Sequence, residues 1–231
     1  GNRYIAAEAL LRLKDPQYGF ISPAVFIPAA EKSGFIRKLG PFVLEEVCRF
    51  ISGGQFAALG LKYIEVNLSV SQCVDEGLAD RVIGMLGKYN VSPRTINLEV
   101  TEGAVAVSHR IVEENLRRIS AAGIGISIDD YGTGYSNIQR MATLPVSIVK
   151  LDKSMIDGFD SERMRTVIEG TVHMLQKLGI RSVAEGVETA ERAAQIADVG
   201  CDFIQGFHYS RPLPEDEFIE KLEAEQISGY S

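Results

Sequence analysis

Short alternating apolar runs recur along the chain, and almost every one ends near a polar residue. Tyr4 to Leu11 reads as a strand that carries Glu8 and leads to Arg12. Lys62 to Leu68 has Asn67 near its end, and Thr95 to Val100 carries Glu99 with Glu102 just after it. Ile124, Ile126 and Ile128 alternate up to Asp129 and Asp130, after which Gly132 and Gly134 signal a tight loop. Val146 to Leu151 holds Lys150 with Asp152 beside it, Ile180 to Ala184 runs into Glu185, and Asp202 to Gly206 contains Gln205.

Helical periodicity fills the intervals. Ser22-Pro23 predicts a capped start for a helix that stops near Gly34. Gly40-Pro41 predicts the opening of a second helix, closed by Gly53-Gly54. Further helices are expected over Glu76 to Lys88, Ser108 to Ala121, Glu162 to Leu178, from Thr189 through Ala197, and from Pro214 to Glu225, with Gln226 to Ser231 as a frayed tail.

Such alternation implies a parallel sheet covered by helices. With polar residues at the ends of all seven strands, the expected architecture is a (β/α) barrel of the TIM type, whose site lies at the C-terminal strand ends. A doubly wound open sheet is the alternative, with its site at one switch point. Seven strands are one short of closure, so a first strand is expected upstream of Gly1. The chain is read as one domain, 1–231, within a longer multidomain protein.

Composition narrows the chemistry. Seven net negative charges argue against binding duplex nucleic acid, so a phosphate ester would need metal ions or a local cationic patch. Cys48, Cys73 and Cys201 are scattered and show no zinc spacing, which suits a reducing compartment. No run is long enough to span a membrane and no secretion signal opens the chain; the expectation is a cytoplasmic domain without membrane contact of its own. His109, His173 and His208 stand on different elements and read as packing or surface residues.

Glu8, Glu99, Asp129, Asp130 and Glu185 would converge in one pocket, and that many carboxylates stay ionised together only beside cations. Oxygen donors plus the Asn67 amide suit magnesium or manganese rather than zinc. The charge suffices for two divalent ions and in-line attack on a phosphodiester, with Lys150 holding water or stabilising charge and Arg12 touching phosphate. Enolase-type proton abstraction with a lysine base uses a similar set of acids.

Glu8-Ala9-Leu10-Leu11-Arg12 resembles the signature of the EAL-domain cyclic di-GMP phosphodiesterases. The likeness continues through Val66-Asn67-Leu68-Ser69, Leu98 to Glu102, Asp129 to Ser136, Val149-Lys150-Leu151-Asp152, Ala184 to Glu188, Gln205-Gly206-Phe207 and Ser210 to Pro214. The resemblance implies a modified barrel with one antiparallel strand and hydrolysis of cyclic di-GMP to linear pGpG. It implies that Glu8, Asn67, Glu99 and Asp129 hold one ion, and that Asp129, Asp130 and Glu185 hold the other. Lys150 and Gln205 would position the attacking water, with Glu185 a general base in one-metal descriptions. Arg12, Leu11 and Pro212 would bind substrate. Glu102 would anchor the loop Tyr131 to Asn137, which the family links to its dimer interface, and Glu188 would support the site. Calcium would replace magnesium or manganese and inhibit. A homodimer follows from the same resemblance, and a regulatory or sensor domain is expected elsewhere in the full-length protein, whose unseen segments are where any membrane anchor would lie.

The chain departs from the family pattern at Tyr131, where phenylalanine is usual, at Phe207 for tyrosine, and at Leu13 for tryptophan. The first two keep a ring; Leu13 removes one near the substrate side. The helix and Tyr-Gln-Pro strand that usually precede the glutamate strand are also absent, which predicts an open sheet edge. Two further readings stand beside the enzyme: a catalytically silent cyclic di-GMP receptor and a protein-interaction domain. Both usually follow loss of an acid or of the lysine, and every one is present.

Overall fold

The computed structural model describes residues 3–106, 110–134 and 138–228. The expected start of one helix at Ser108, His109, the loop residues Tyr135 to Asn137 and the end of the tail lie outside them. The chain divides into two compact units. One comprises Gly1–Leu98, His109–Ile124 and Pro214–Ser231; the other comprises Glu99–Ser108 and Gly125–Leu213. Strand β5 (Ile96–Thr101) begins in the first and ends in the second.

In the first unit, β1 (Ala6–Ala9) pairs in parallel with β4 (Tyr63–Leu68), and Glu8 stands opposite Glu65. An antiparallel hairpin of β2 (Leu13–Asp15) and β3 (Gly19–Ile21) lies between them in sequence. The sequence shows only its turn, Asp15-Pro16, because strands this short carry no readable alternation. Asp15 secures that turn by accepting the Gln17 and Tyr18 amides. The helix Pro23–Ser33 begins after Ser22 and ends on the left-handed Gly34, as the punctuation predicts.

The next helix corrects an expectation. It runs Ile36–Ser52 and contains Pro41 instead of starting there. Lys38 and Leu39 donate to the Phe35 carbonyl, so the first turn closes directly after the Gly34 cap. Proline removes one hydrogen bond at the second turn, and burial of Ile36, Leu44, Val47 and Cys48 outweighs that loss. The helix expected from Glu76 begins at Leu78, preceded by a separate turn, Val70–Cys73, with a Ser69/Gln72 capping box. The final helix extends over Glu215–Ser228, further than the expected tail boundary.

In the second unit, β6 (Gly125–Tyr131), β7 (Ile148–Leu151), β8 (Arg181–Ala184) and β9 (Phe203–Ile204) pair in parallel in chain order. Helices Glu162–Leu178 and Ala190–Asp198 return the chain between strands. The former bears the apolar stripe of Ile168, Val172 and Leu175, all buried. Thr189 caps the latter by accepting the Arg192 amide, 3.2 Å. The architecture is α/β with parallel strands alternating with helices, as the pattern predicts. One difference matters for the site: β6 does not stop at the acids but runs through them, with a register shift between Ile128 and Tyr131.

Candidate active site

The irregular end of β6 presents two adjacent carboxylates together. Neighbouring residues of a regular strand point to opposite faces. Here Asp130 adopts φ +56°, and the chain turns at that residue. Thr133 closes the turn, donating to the Asp130 carbonyl through its amide and its hydroxyl. One carboxylate oxygen each of Asp129, Asp130 and Glu185 consequently lies within 4.8 Å of the others. Glu185 is brought in by the end of β8, where its amide donates to the Leu151 carbonyl at 3.0 Å.

Lys150 sits beneath this cluster, 1% exposed. Its Nζ is 2.6 Å from Glu99 Oε1, 2.8 Å from Glu185 Oε1 and 3.7 Å from Asp129 Oδ1. Burying an ammonium among apolar strand residues is tolerable only with such partners. Glu99, 1% exposed, pairs with that lysine. The three-carboxylate group fits a hard divalent cation: its donors are all oxygens, and the buried Asp129 Oδ1 accepts no hydrogen bond among the described residues. Asp129, Asp130 and Glu185 could therefore hold a metal ion.

Around the cluster, Glu102 is buried and accepts the Gly132 amide at 3.0 Å. Gly132 has φ +102°, and a Cβ there would strike the Met155 sulfur. Gln205 is tied by its backbone, donating to Ala184 and accepting from Val187. Glu188 accepts from Lys153 at 2.9 Å, and that hydrogen bond holds its carboxyl below the usual range. Lys153 also reaches the Gly186 carbonyl and Asp157, bracing the turn that follows Glu185. Sequence reasoning missed this lysine; its signal was the four-residue spacing to Asp157 on one helix.

The first unit holds Glu8, Leu11, Arg12 and Asn67. Asn67 Nδ2 donates to Glu8 Oε1 at 2.7 Å across β1 and β4. Arg12 is exposed and donates to the Leu11 carbonyl. Pro212, in the second unit, is exposed after the Arg211–Phe207 cation–π contact.

Comparison with known proteins identifies the family and the fold. The EAL domain family matches residues 1–212, and the chain belongs to that family. It is 38% identical over 224 residues to the bifunctional diguanylate cyclase/cyclic di-GMP phosphodiesterase MucR of Pseudomonas aeruginosa, covering 94% of this chain and 32% of that protein. An uncharacterized protein of Mycobacterium tuberculosis is 35% identical over 225 residues, covering 95% of this chain and 73% of that protein. The chain thus spans only about a third of MucR's length. Among solved structures, the PaMucR phosphodiesterase in complex with c-di-GMP superposes with a TM-score of 0.84 at 37% identity, covering 91% of this chain and 86% of that one. The EAL enzyme Bd1971, in its cAMP- and cyclic-di-GMP-bound form, gives 0.88 at 27% identity, covering 96% and 61%. The fold is that of the EAL domain structures.

Proposed function

We propose that this chain is a cyclic-guanylate-specific phosphodiesterase that hydrolyses cyclic di-GMP to linear pGpG. The observation that carries the reading is the cluster of Asp129, Asp130 and Glu185 above the buried Lys150. The phosphodiesterase relative and the c-di-GMP complex of a solved neighbour support the substrate.

Magnesium or manganese bound at this cluster, two ions in the full reading, would polarise the attacking water and neutralise phosphate charge. Asp129, Asp130 and Glu185 are the ligands the geometry favours. Glu8, Asn67 and Glu99 keep the ligand roles implied by the motifs. Water oxygen attacks phosphorus, the bond to the 3′ oxygen breaks, that oxygen takes up a proton to become the 3′-hydroxyl, and a 5′-phosphate remains on the linear product. Lys150, 2.8 Å from Glu185, positions the attacking water with Gln205 and stabilises developing charge, and with a single ion bound Glu185 takes the water proton as general base. Arg12, Leu11 and Pro212 contact the substrate. Glu102 anchors the loop after Asp130, and Glu188 braces the turn after Glu185. The reading includes a homodimer, a cytoplasmic site of action and a regulatory domain elsewhere in the full-length protein.

The test is conversion of cyclic di-GMP to pGpG with magnesium, manganese or calcium. Turnover with manganese that calcium suppresses, and that Asp129→Asn or Glu8→Ala abolishes, is the expected result. Saturable cyclic di-GMP binding without turnover would replace the enzyme by a receptor. Full activity in Glu8→Ala would remove that residue from the ligand set.

A further inference from the structure

A cavity of about 150 Å³ lies within the first unit, between the helices Ile36–Ser52 and Leu78–Lys88 and the strand β4. Leu44, Val66, Leu68, Val82 and Leu98 form its apolar wall, and each is at least nine-tenths buried. Val66 and Leu68 flank Asn67 in β4, so strand alternation puts the cavity on the face opposite the Asn67 side chain. A cavity of this size accepts a compact molecule of about six to nine non-hydrogen atoms.

Two polar groups at the cavity specify more than an apolar occupant. Gln72 is 6% exposed. Its Oε1 is fixed by the Ser69 amide at 2.9 Å, which determines where its Nε2 lies. That Nε2 donates to no group among the described residues, and it packs against Gly40, where a Cβ would collide with it. An acceptor on a ligand entering the cavity would engage this donor, whose direction is already set. The second group is Arg37, exposed at the mouth and in no ion pair among the described residues. The other two charges there answer each other. Asp75 accepts the Gly77 amide at 2.9 Å and pairs with Arg81 at 2.8 Å, and those contacts hold its carboxyl below the usual range. Arg37 also faces Asp75 and helps to hold that carboxyl down, so Arg37, Arg81 and Asp75 together leave the mouth with a net positive charge.

We propose that this cavity binds a small monocarboxylate with a compact aromatic or branched aliphatic body. The body fills the space among Leu44, Val66, Val82 and Leu98, and the carboxylate accepts from Gln72 Nε2 and faces Arg37. The site shares no side chain with the carboxylate cluster, so it stands or falls independently of the phosphodiesterase reading.

The test is ligand-observed and protein-observed NMR on the whole chain with three probes of one shape: benzoate, toluene and benzylamine. Benzoate is expected to bind saturably, toluene more weakly and benzylamine weakest of all. Arg37→Gln should weaken benzoate about tenfold and leave toluene unchanged. Val82→Phe should fill the cavity and abolish both. Arg37 is exposed, so its arm remains readable even where Val82→Phe fails to fold. Lack of saturation by benzoate, benzoate affinity unchanged in Arg37→Gln, or equal binding of benzoate and benzylamine would each overturn the proposal.

Discussion

Lys150 Nζ lies 2.6 Å from Glu99 Oε1, and both residues are 1% exposed. The lysine is the internal counter-ion of the site, because Glu185 and Asp129 share it. Removing one member of a buried pair strands the other. Lys150→Met is expected to lower stability by about 3–5 kcal/mol without added metal, with manganese restoring part of the loss. Urea denaturation with and without manganese measures both; an unchanged midpoint would contradict the counter-ion role.

Asp130 combines a carboxylate with a left-handed backbone, φ +56°. Those two contributions separate by substitution. Asp130→Ala should cost about 1–2 kcal/mol in backbone strain, whereas Asp130→Gly should melt closer to the parent. Both variants lose a ligand oxygen, so both should lose most of the thermal stabilisation by manganese. A variant that keeps the full metal-induced shift would exclude Asp130 from the ion site.

Glu102 holds the turn after β6 through the Gly132 amide. Glu102→Ala should speed hydrogen exchange at Gly132, and Glu102→Gln, which retains an acceptor, should do so much less. Gly132→Ala meets the Met155 sulfur at a positive φ and should cost about 2 kcal/mol or more. Equal exchange in the two Glu102 variants would show that the hydrogen bond does not restrain the turn.

Burial pushes the Cys48 thiol up to about 11 and the Cys73 thiol up to about 12. Both side chains are fully buried. At pH 8 the native protein should therefore modify slowly at these thiols and rapidly once unfolded. The linkage sign follows: above about pH 9 the unfolded chain releases these protons while the folded chain retains them, so stability declines as pH rises from there. Timed thiol labelling and denaturation at pH 8 and pH 10 test the two statements. Rapid labelling of the native protein, or greater stability at the higher pH, would contradict them.

The sequence by itself determined the parallel α/β class, most helices and strands, and the candidate acids. It did so because these are local properties: alternation marks a strand, a 3.6-residue repeat marks a helix, and an acid in an apolar run stands out within a few residues. The left-handed stop at Gly34 and the helix Glu162–Leu178 are legible for that reason. Pro41 misled because a proline near a helix start resembles one that opens it, and only packing of Ile36 and Leu44 shows that the helix is already under way. The hairpin Leu13–Ile21 was too short to show a period.

Tertiary structure alone decided how the chemistry is assembled. Lys150 and Glu99 are 51 residues apart in the chain, yet they form a buried pair because their strands deliver both into one unit. The turn at Asp130 brings its carboxylate beside those of Asp129 and Glu185, which regular alternation would have separated. Gln72 carries no sequence signal of its own; folding ties its carbonyl to Ser69 and leaves its amide at the cavity. Spacing names the residues that carry charge and hydrogen-bonding capacity. Which partner satisfies each depends on contacts between distant segments, and those exist only once the chain has folded.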